Sequence, residues 1–297
     1  MITACSPGPT ATQARSANAR GSSSISSRVS DLWRAPLTDL PVRDELIRQY
    51  IPLSPEMEVL EIGPGSGFPA YRMARVVASL TLLEVAAGNA AILQQRFAAV
   101  PNVEVVLGDL CGKGLGENRP CTYDAAIAVE VFEYLSDPCT ALHNLAAMLR
   151  PGGLFFMQFP NYENRALPTF YRTRHALEVQ LRAAGFASWK IYSLRLSPWS
   201  QRLFHWLHEL PLHLYRARQR SQKQRPQCPQ RYDETWAFRH SGRLEAFKLP
   251  INLYWAAIMI LMRLGGDVFR RIECGDEILG KNLFVVANRG GNGSVTE

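Results

Sequence analysis

Apolar positions in this chain fall in short runs of strand length, separated by stretches whose apolar residues recur at helical spacing. Residues 57–62, 80–84, 103–107, 123–129 and 154–159 read as strands, and 188–193 and 282–287 add two more. The run 123–129 is apolar almost throughout, as a strand covered on both faces should be. Between the runs, 42–50, 69–77, 86–99, a stretch following Glu130 and 173–184 read as helices. Strand and helix in alternation predict an α/β fold, a doubly wound, mostly parallel seven-stranded sheet with helices on both faces. Residues 196–280 interrupt the pattern before the last strand and read as a helical insertion.

Composition changes this picture at the ends and in the insertion. The first 30 residues are rich in Ser, Ala, Gly and Arg and contain no acid, which predicts a disordered tail and shares its composition with a transit peptide. They lack the apolar core of a secretory signal. The core is therefore expected at 31–195 and 281–290, with 196–280 as a lid. Of the net charge of +7, the tail contributes +3 and the insertion +5, leaving −1 for the core. The basic character belongs to the additions. Six cysteines without any C-x-x-C pair indicate neither a disulfide framework nor a zinc ribbon, and a reducing, cytoplasmic compartment is expected.

The chemistry starts at the first strand, Val59-Leu60-Glu61-Ile62, which runs into Gly63-Pro64-Gly65-Ser66-Gly67. Glycines at alternate positions allow φ > 0 and let a ligand approach the backbone, and Pro69 suits a helix start. A dinucleotide fingerprint would need a third glycine at position 68, which is Phe68. Glu84 ends the second strand 17 residues beyond Gly67, where a carboxylate can accept from both hydroxyls of a ribose. Gly108-Asp109-Leu110 follows the third strand, and Pro151-Gly152-Gly153 opens the fifth. The E-x-G-x-G-x-G turn together with these companions resembles the class I S-adenosylmethionine-dependent methyltransferases, and the Pro-Gly-Gly signature resembles their ubiquinone/menaquinone-type members.

That resemblance implies a Rossmann-like methyltransferase core over 42–194 plus the last strand, with S-adenosylmethionine as cofactor. It assigns Glu61, Gly63, Gly65, Gly67, Glu84, Asp109 and Leu110 to cofactor binding, with Asp109 and the Leu110 backbone at the adenine. Relatives carry Glu-His where this chain has Glu133-Tyr134, so a histidine often assigned as base or acceptor contact is missing here. Glu130, Glu133 and Tyr162 are the candidates for an acid–base role.

The insertion follows a strand end on the edge where α/β folds bind ligands. It carries Trp199, Leu203, Phe204, Trp206, Leu207 and Leu210, then Arg216, Arg218, Arg220, Lys223 and Arg225 without an intervening acid. Residues 249–262 are free of charge and too few to span a bilayer. An ordinary lid and a peripheral anionic membrane contact both fit, the second placing the protein on the inner face of a membrane. His205, His208 and Glu209 match no zinc-site spacing. The acceptor is expected to be a small molecule or a lipid-linked one of quinone, isoprenoid or glycolipid type. A non-catalytic cofactor-binding regulator or docked interaction protein is the alternative, and an RNA methyltransferase a further one, since no nucleic-acid module accompanies the basic run. Oligomeric state is not legible in the sequence.

Overall fold

The computed structural model describes residues 40–65, 67–112, 115–161, 173–211, 248–275 and 282–290. The 1–30 tail, Ser66, Tyr162 and the arginine run 216–225 lie outside them. In chain order the elements are α1 (Leu40–Tyr50), β1 (Glu58–Ile62), α2 (Phe68–Met73), β2 (Ser79–Glu84), α3 (Ala87–Phe97), β3 (Val103–Leu107), α4 (Leu115–Asn118) and β4 (Tyr123–Val129). They continue with α5 (Pro138–Met148), β5 (Leu149–Pro160), α6 (Arg174–Ala183), β6 (Phe186–Leu196), α7 (Pro198–Phe204), α8 (Lys248–Leu264), β7 (Phe269–Glu273) and β8 (Asn282–Arg289).

The strands form one sheet in the order β3-β2-β1-β4-β5-β8-β6-β7. Strands β1 to β6 point the same way, while β8, between β5 and β6, and β7, at the edge, run against them. Alternation along each strand divides the core. On one face Leu60, Ile62, Ala126 and Phe155 pack against α5 and α6 through Leu142, Leu145, Leu177 and Leu181. On the other, Val59, Ile127 and Phe156 meet α1, α2, α3 and α8 through Leu46, Met73, Leu93 and Met262. Helices on both faces of a largely parallel sheet give the doubly wound, Rossmann-like architecture expected from the pattern.

The sheet has eight strands among the described residues, one more than the sequence pattern shows. The extra strand is β7, inside the insertion, where only Phe269 is buried and Phe-Arg-Arg-Ile-Glu carries no apolar alternation. Its pairing is imposed by β6, whose register from Tyr192↔Glu273 to Leu196↔Phe269 offers a template to an edge strand. The insertion is thus part sheet and part helix.

The end of α1 is tied to that strand. The Tyr50 hydroxyl donates to the Phe269 carbonyl at 2.7 Å, and the Gln49 amide both donates to that carbonyl and accepts from the Phe269 N–H. One turn earlier, Glu45, with a side chain 1% exposed, accepts from Arg48 of its own helix and from Arg263 of α8. Hydrogen bonds from both guanidinium groups hold the Glu45 carboxyl below the usual carboxylate range despite its burial. These contacts join α1 and the insertion into one layer over the second face of the sheet.

Candidate active site

The strand order reverses between β1 and β4, so a crevice opens at the carboxyl ends of these strands. The β1–α2 turn borders it. Gly63, Gly65 and Gly67 all sit in the left-handed region, with φ of 60°, 57° and 72°. A Cβ on Gly63 would lie 2.6 Å from a Val131 methyl, and one on Gly67 would lie 2.7 Å from Leu93 and 2.8 Å from the Phe97 ring. Those two glycines are needed for packing. A Cβ on Gly65 would meet nothing within 4 Å, so the middle glycine has open space beside it. Pro69 occupies the first turn of α2, as its fixed φ favours.

Glu84 ends β2 with a side chain that is almost fully buried, and its Oε1 accepts from the Ala86 N–H at 2.9 Å. Burial raises its pKa, against the hydrogen bonds from Ala86 and Asn89. Asp109, past the end of β3, is exposed, and its Oδ1 closes a local turn by accepting from the Cys111 N–H at 2.9 Å. The Leu110 side chain is part of the core, while its carbonyl accepts from the Asn144 amide. Glu84 and Asp109 therefore stand at the ends of neighbouring strands along the same edge as the glycine turn.

The carboxyl ends of β1, β4 and β5 carry the second set of polar groups. Glu61, next to last in β1, is buried, and its Oε2 has no hydrogen-bond partner among the described residues. Burial, with Asp44 nearby, pushes its carboxyl up to about 8. Glu130 directly follows β4 at φ 53°, a left-handed conformation rare outside glycine, and pairs with Arg43 of α1. Glu133 lies in a short 3-10 turn over Phe132–Tyr134, 2% exposed, with Oε2 also unpartnered among the described residues. Burial pushes its carboxyl up to about 7, partly offset by Arg43. Tyr134, at the histidine position of the resemblance, is 61% exposed.

Sequence reasoning missed Gln158. It stands on β5 opposite Val129, is buried, and leaves Oε1 without a partner among the described residues. Its carbonyl accepts from the Glu130 N–H at 2.7 Å, which fixes the turn carrying Glu130 and Glu133. The available signal was one amide inside the otherwise apolar run Leu154-Phe155-Phe156-Met157-Gln158-Phe159. Buried polar atoms without partners are uncommon in folded proteins and mark places where a ligand or ordered water completes the bonding.

A separate cavity of about 370 Å³ is lined by Tyr50, Phe156, Lys190, Tyr192, Arg271 and Asn288. There the Arg271 guanidinium sits 4.3 Å from the Tyr50 ring and 4.9 Å from the Tyr192 ring. In the π-helical turn after α7, His205 pairs with Glu209 at 3.0 Å, and His208 lies 4.8 Å from the Trp255 ring.

Residues 39–191, more than half of the chain, match the family described as Methyltransferase domain. The chain belongs to that methyltransferase family. Among its curated relatives, the ubiquinone biosynthesis O-methyltransferase of Albidiferax ferrireducens is 29% identical over 123 residues, covering 41% of this chain and 48% of the relative. The protein of the same name from Alkalilimnicola ehrlichii is 30% identical over 120 residues, covering 40% and 48%. The chain thus spans about half the length of these relatives. Among solved structures, phosphoethanolamine N-methyltransferase 2 of Haemonchus contortus aligns over 86% of this chain and 53% of its own, with 12% identity and a TM-score of 0.51. A Haloferax volcanii methyltransferase, solved with the Trm112 activator, aligns over 91% and 99% with 12% identity and a TM-score of 0.50. These likenesses establish a class I, S-adenosylmethionine-dependent methyltransferase fold.

The residues present suit that cofactor. The turn has a glycine whose missing Cβ leaves open space, and the edge holds an acid at the end of β2 and an orphaned buried carboxyl oxygen on Glu61. Among the described residues no helix is long and apolar enough to cross a membrane.

Proposed function

We propose that this methyltransferase transfers the methyl group of S-adenosylmethionine to an acidic hydroxyl or carbon acid of a small, lipid-like acceptor. The observation that carries the reading is Glu133, a buried carboxyl near neutrality whose second oxygen has no partner among the described residues, in the turn whose Val131 packs on Gly63 of the glycine turn. S-adenosylmethionine supplies a methyl already activated on a cationic sulfur. What remains for the chain is to bind, orient and deprotonate the acceptor. Gly63, Gly65 and Gly67 shape the cofactor turn, while Glu61, Glu84, Asp109 and the Leu110 backbone are the groups that would hold the cofactor along the strand ends.

Glu133 is best placed as general base, because a carboxyl titrating near neutrality is ionised often enough to accept a proton and basic enough to keep it. Glu130 is engaged by Arg43, so its role is to hold α1 against the turn. Tyr162 stays a candidate for the acid–base role and lies outside the described residues. Holding the acceptor atom in line supplies the larger share of rate enhancement expected in such a site.

Methyl-labelled cofactor, incubated with protein and host extract and then partitioned between organic and aqueous phases, tests this reading. Protein-dependent label is expected in the organic phase. Glu133→Gln should lower kcat by about 10²–10⁴-fold with cofactor affinity unchanged. Cofactor binding without transfer to any fraction would instead favour the non-catalytic regulator, consistent with Tyr134 in place of histidine. Aqueous label would point to polar metabolites, glycans or RNA.

A further inference from the structure

We propose that the outward face of α8, with the aromatic residues beside it, docks the protein on the surface of an anionic lipid bilayer. A helix on the outside of a soluble domain normally turns polar residues to water, opposite its buried stripe. In α8 the stripe is Trp255, Ile258, Met259 and Met262, all buried against the sheet and α1. The opposite side carries Leu253, Ala257, Ile260 and Leu264, at i, i+4, i+7 and i+11. The three large side chains there are 60%, 57% and 76% exposed. Residues 249–262 hold no charge at all, and the ends of the run are Lys248 and Arg263.

The aromatic neighbours fit an interface. Trp206 is 66% exposed, and Tyr254 is 40% exposed with its hydroxyl donating to the Leu207 carbonyl. Trp199, 45% exposed, donates from Nε1 to the Leu261 carbonyl at 3.0 Å. A Cβ on Gly265 would overlap the Trp199 ring, so the end of α8 is shaped to seat it. Trp and Tyr with one apolar side and one satisfied polar tip are the residues that membrane–water interfaces select.

Charge selects the occupant. The segment that joins the end of α7 and its π-helical turn to the start of α8, residues 212–247, has eight basic and three acidic residues by sequence, in a chain of net charge +7. Apolar and aromatic side chains next in sequence to a segment with excess arginine complement negatively charged head groups, whereas a second copy of the same basic chain would meet like charge. At 17 residues and packed on the core along one side, α8 lies in the plane of the surface and does not cross it. The inference stands on α8 and holds whether or not the acceptor is lipid-like.

Flotation of the whole protein with vesicles of phosphatidylcholine, with and without phosphatidylglycerol, tests it. Binding is expected only to the anionic vesicles and should weaken as salt rises. The double variant Ile260→Glu and Leu264→Glu, at positions already facing solvent, should lower vesicle affinity by roughly tenfold or more while S-adenosylmethionine affinity measured by calorimetry stays unchanged. If that variant loses cofactor binding, Leu264→Ser at the most exposed position provides the same comparison. Failure of the native protein to float with anionic vesicles, or flotation of the variants equal to native, overturns the proposal. So does a native dimer in light scattering that becomes monomeric in the variant. Loss of methyl transfer with flotation intact would count against the proposed reaction alone.

Discussion

At the scale of single residues, the three glycines of the β1–α2 turn share a left-handed backbone but differ in what surrounds them. Gly63→Ala brings a Cβ within 2.6 Å of Val131 besides straining φ, so it should destabilise the fold by about 1–3 kcal/mol, read as a lower urea midpoint. Gly65→Ala meets only open space, and its cost is the left-handed conformation itself, about 1–2 kcal/mol. Its larger effect should be on cofactor affinity, reduced about tenfold or more in calorimetry while the protein remains folded. Equal affinity in the Gly65 variant would separate the turn from cofactor binding. The spacing of these glycines was legible in the sequence because φ > 0 demands a residue type. Gln158 was not, because its meaning depends on the burial of its amide and on the carbonyl bond to Glu130, neither of which a strand pattern records.

Among elements, the contact that gives α1 its place is the buried Glu45 carboxylate shared between Arg48 and Arg263. Arg263→Ala leaves Arg48 as partner, so a loss of about 2 kcal/mol is expected in chemical denaturation, typical of one hydrogen-bonded charge. Because α1 also carries Arg43, the same change should loosen the Arg43–Glu130 pair and lower cofactor affinity. Unchanged affinity alongside reduced stability would show that α1 is seated by its apolar contacts alone. A neighbouring element needs no such long-range help: α5 begins at Asp137, whose Oδ1 accepts from the Thr140 N–H at 3.1 Å and whose Oδ2 accepts from the Thr140 hydroxyl at 2.6 Å. That cap, followed by Pro138, is written in consecutive residues, although the sequence pattern located this helix only as a stretch following Glu130.

For the whole molecule, the buried acids link stability to pH. Glu61 and Glu133 have folded-state values near 8 and 7, both above the ordinary 4.5, so the folded state holds more protons than the unfolded chain between those limits. Their contribution is fully present below about pH 4.5 and is lost as pH rises through 7 and 8. Urea unfolding followed across that window should show falling stability, by a few kcal/mol in order of magnitude, and Glu61→Gln should flatten the slope. A native protein whose stability is constant over the window would mean that cofactor-free Glu61 is solvated. The sequence by itself determined the succession of strands and helices, the glycine turn and the acid at the end of β2, since each is a short-range matter of side-chain period, backbone freedom and capping. Tertiary structure alone decided that Arg43 and Gln158 join the edge that carries Glu61 and Glu133, that β7 joins the sheet, and that α8 turns one apolar face inward and another outward. Those outcomes depend on which surfaces distant segments remove from water, and the same local pattern is compatible with either face.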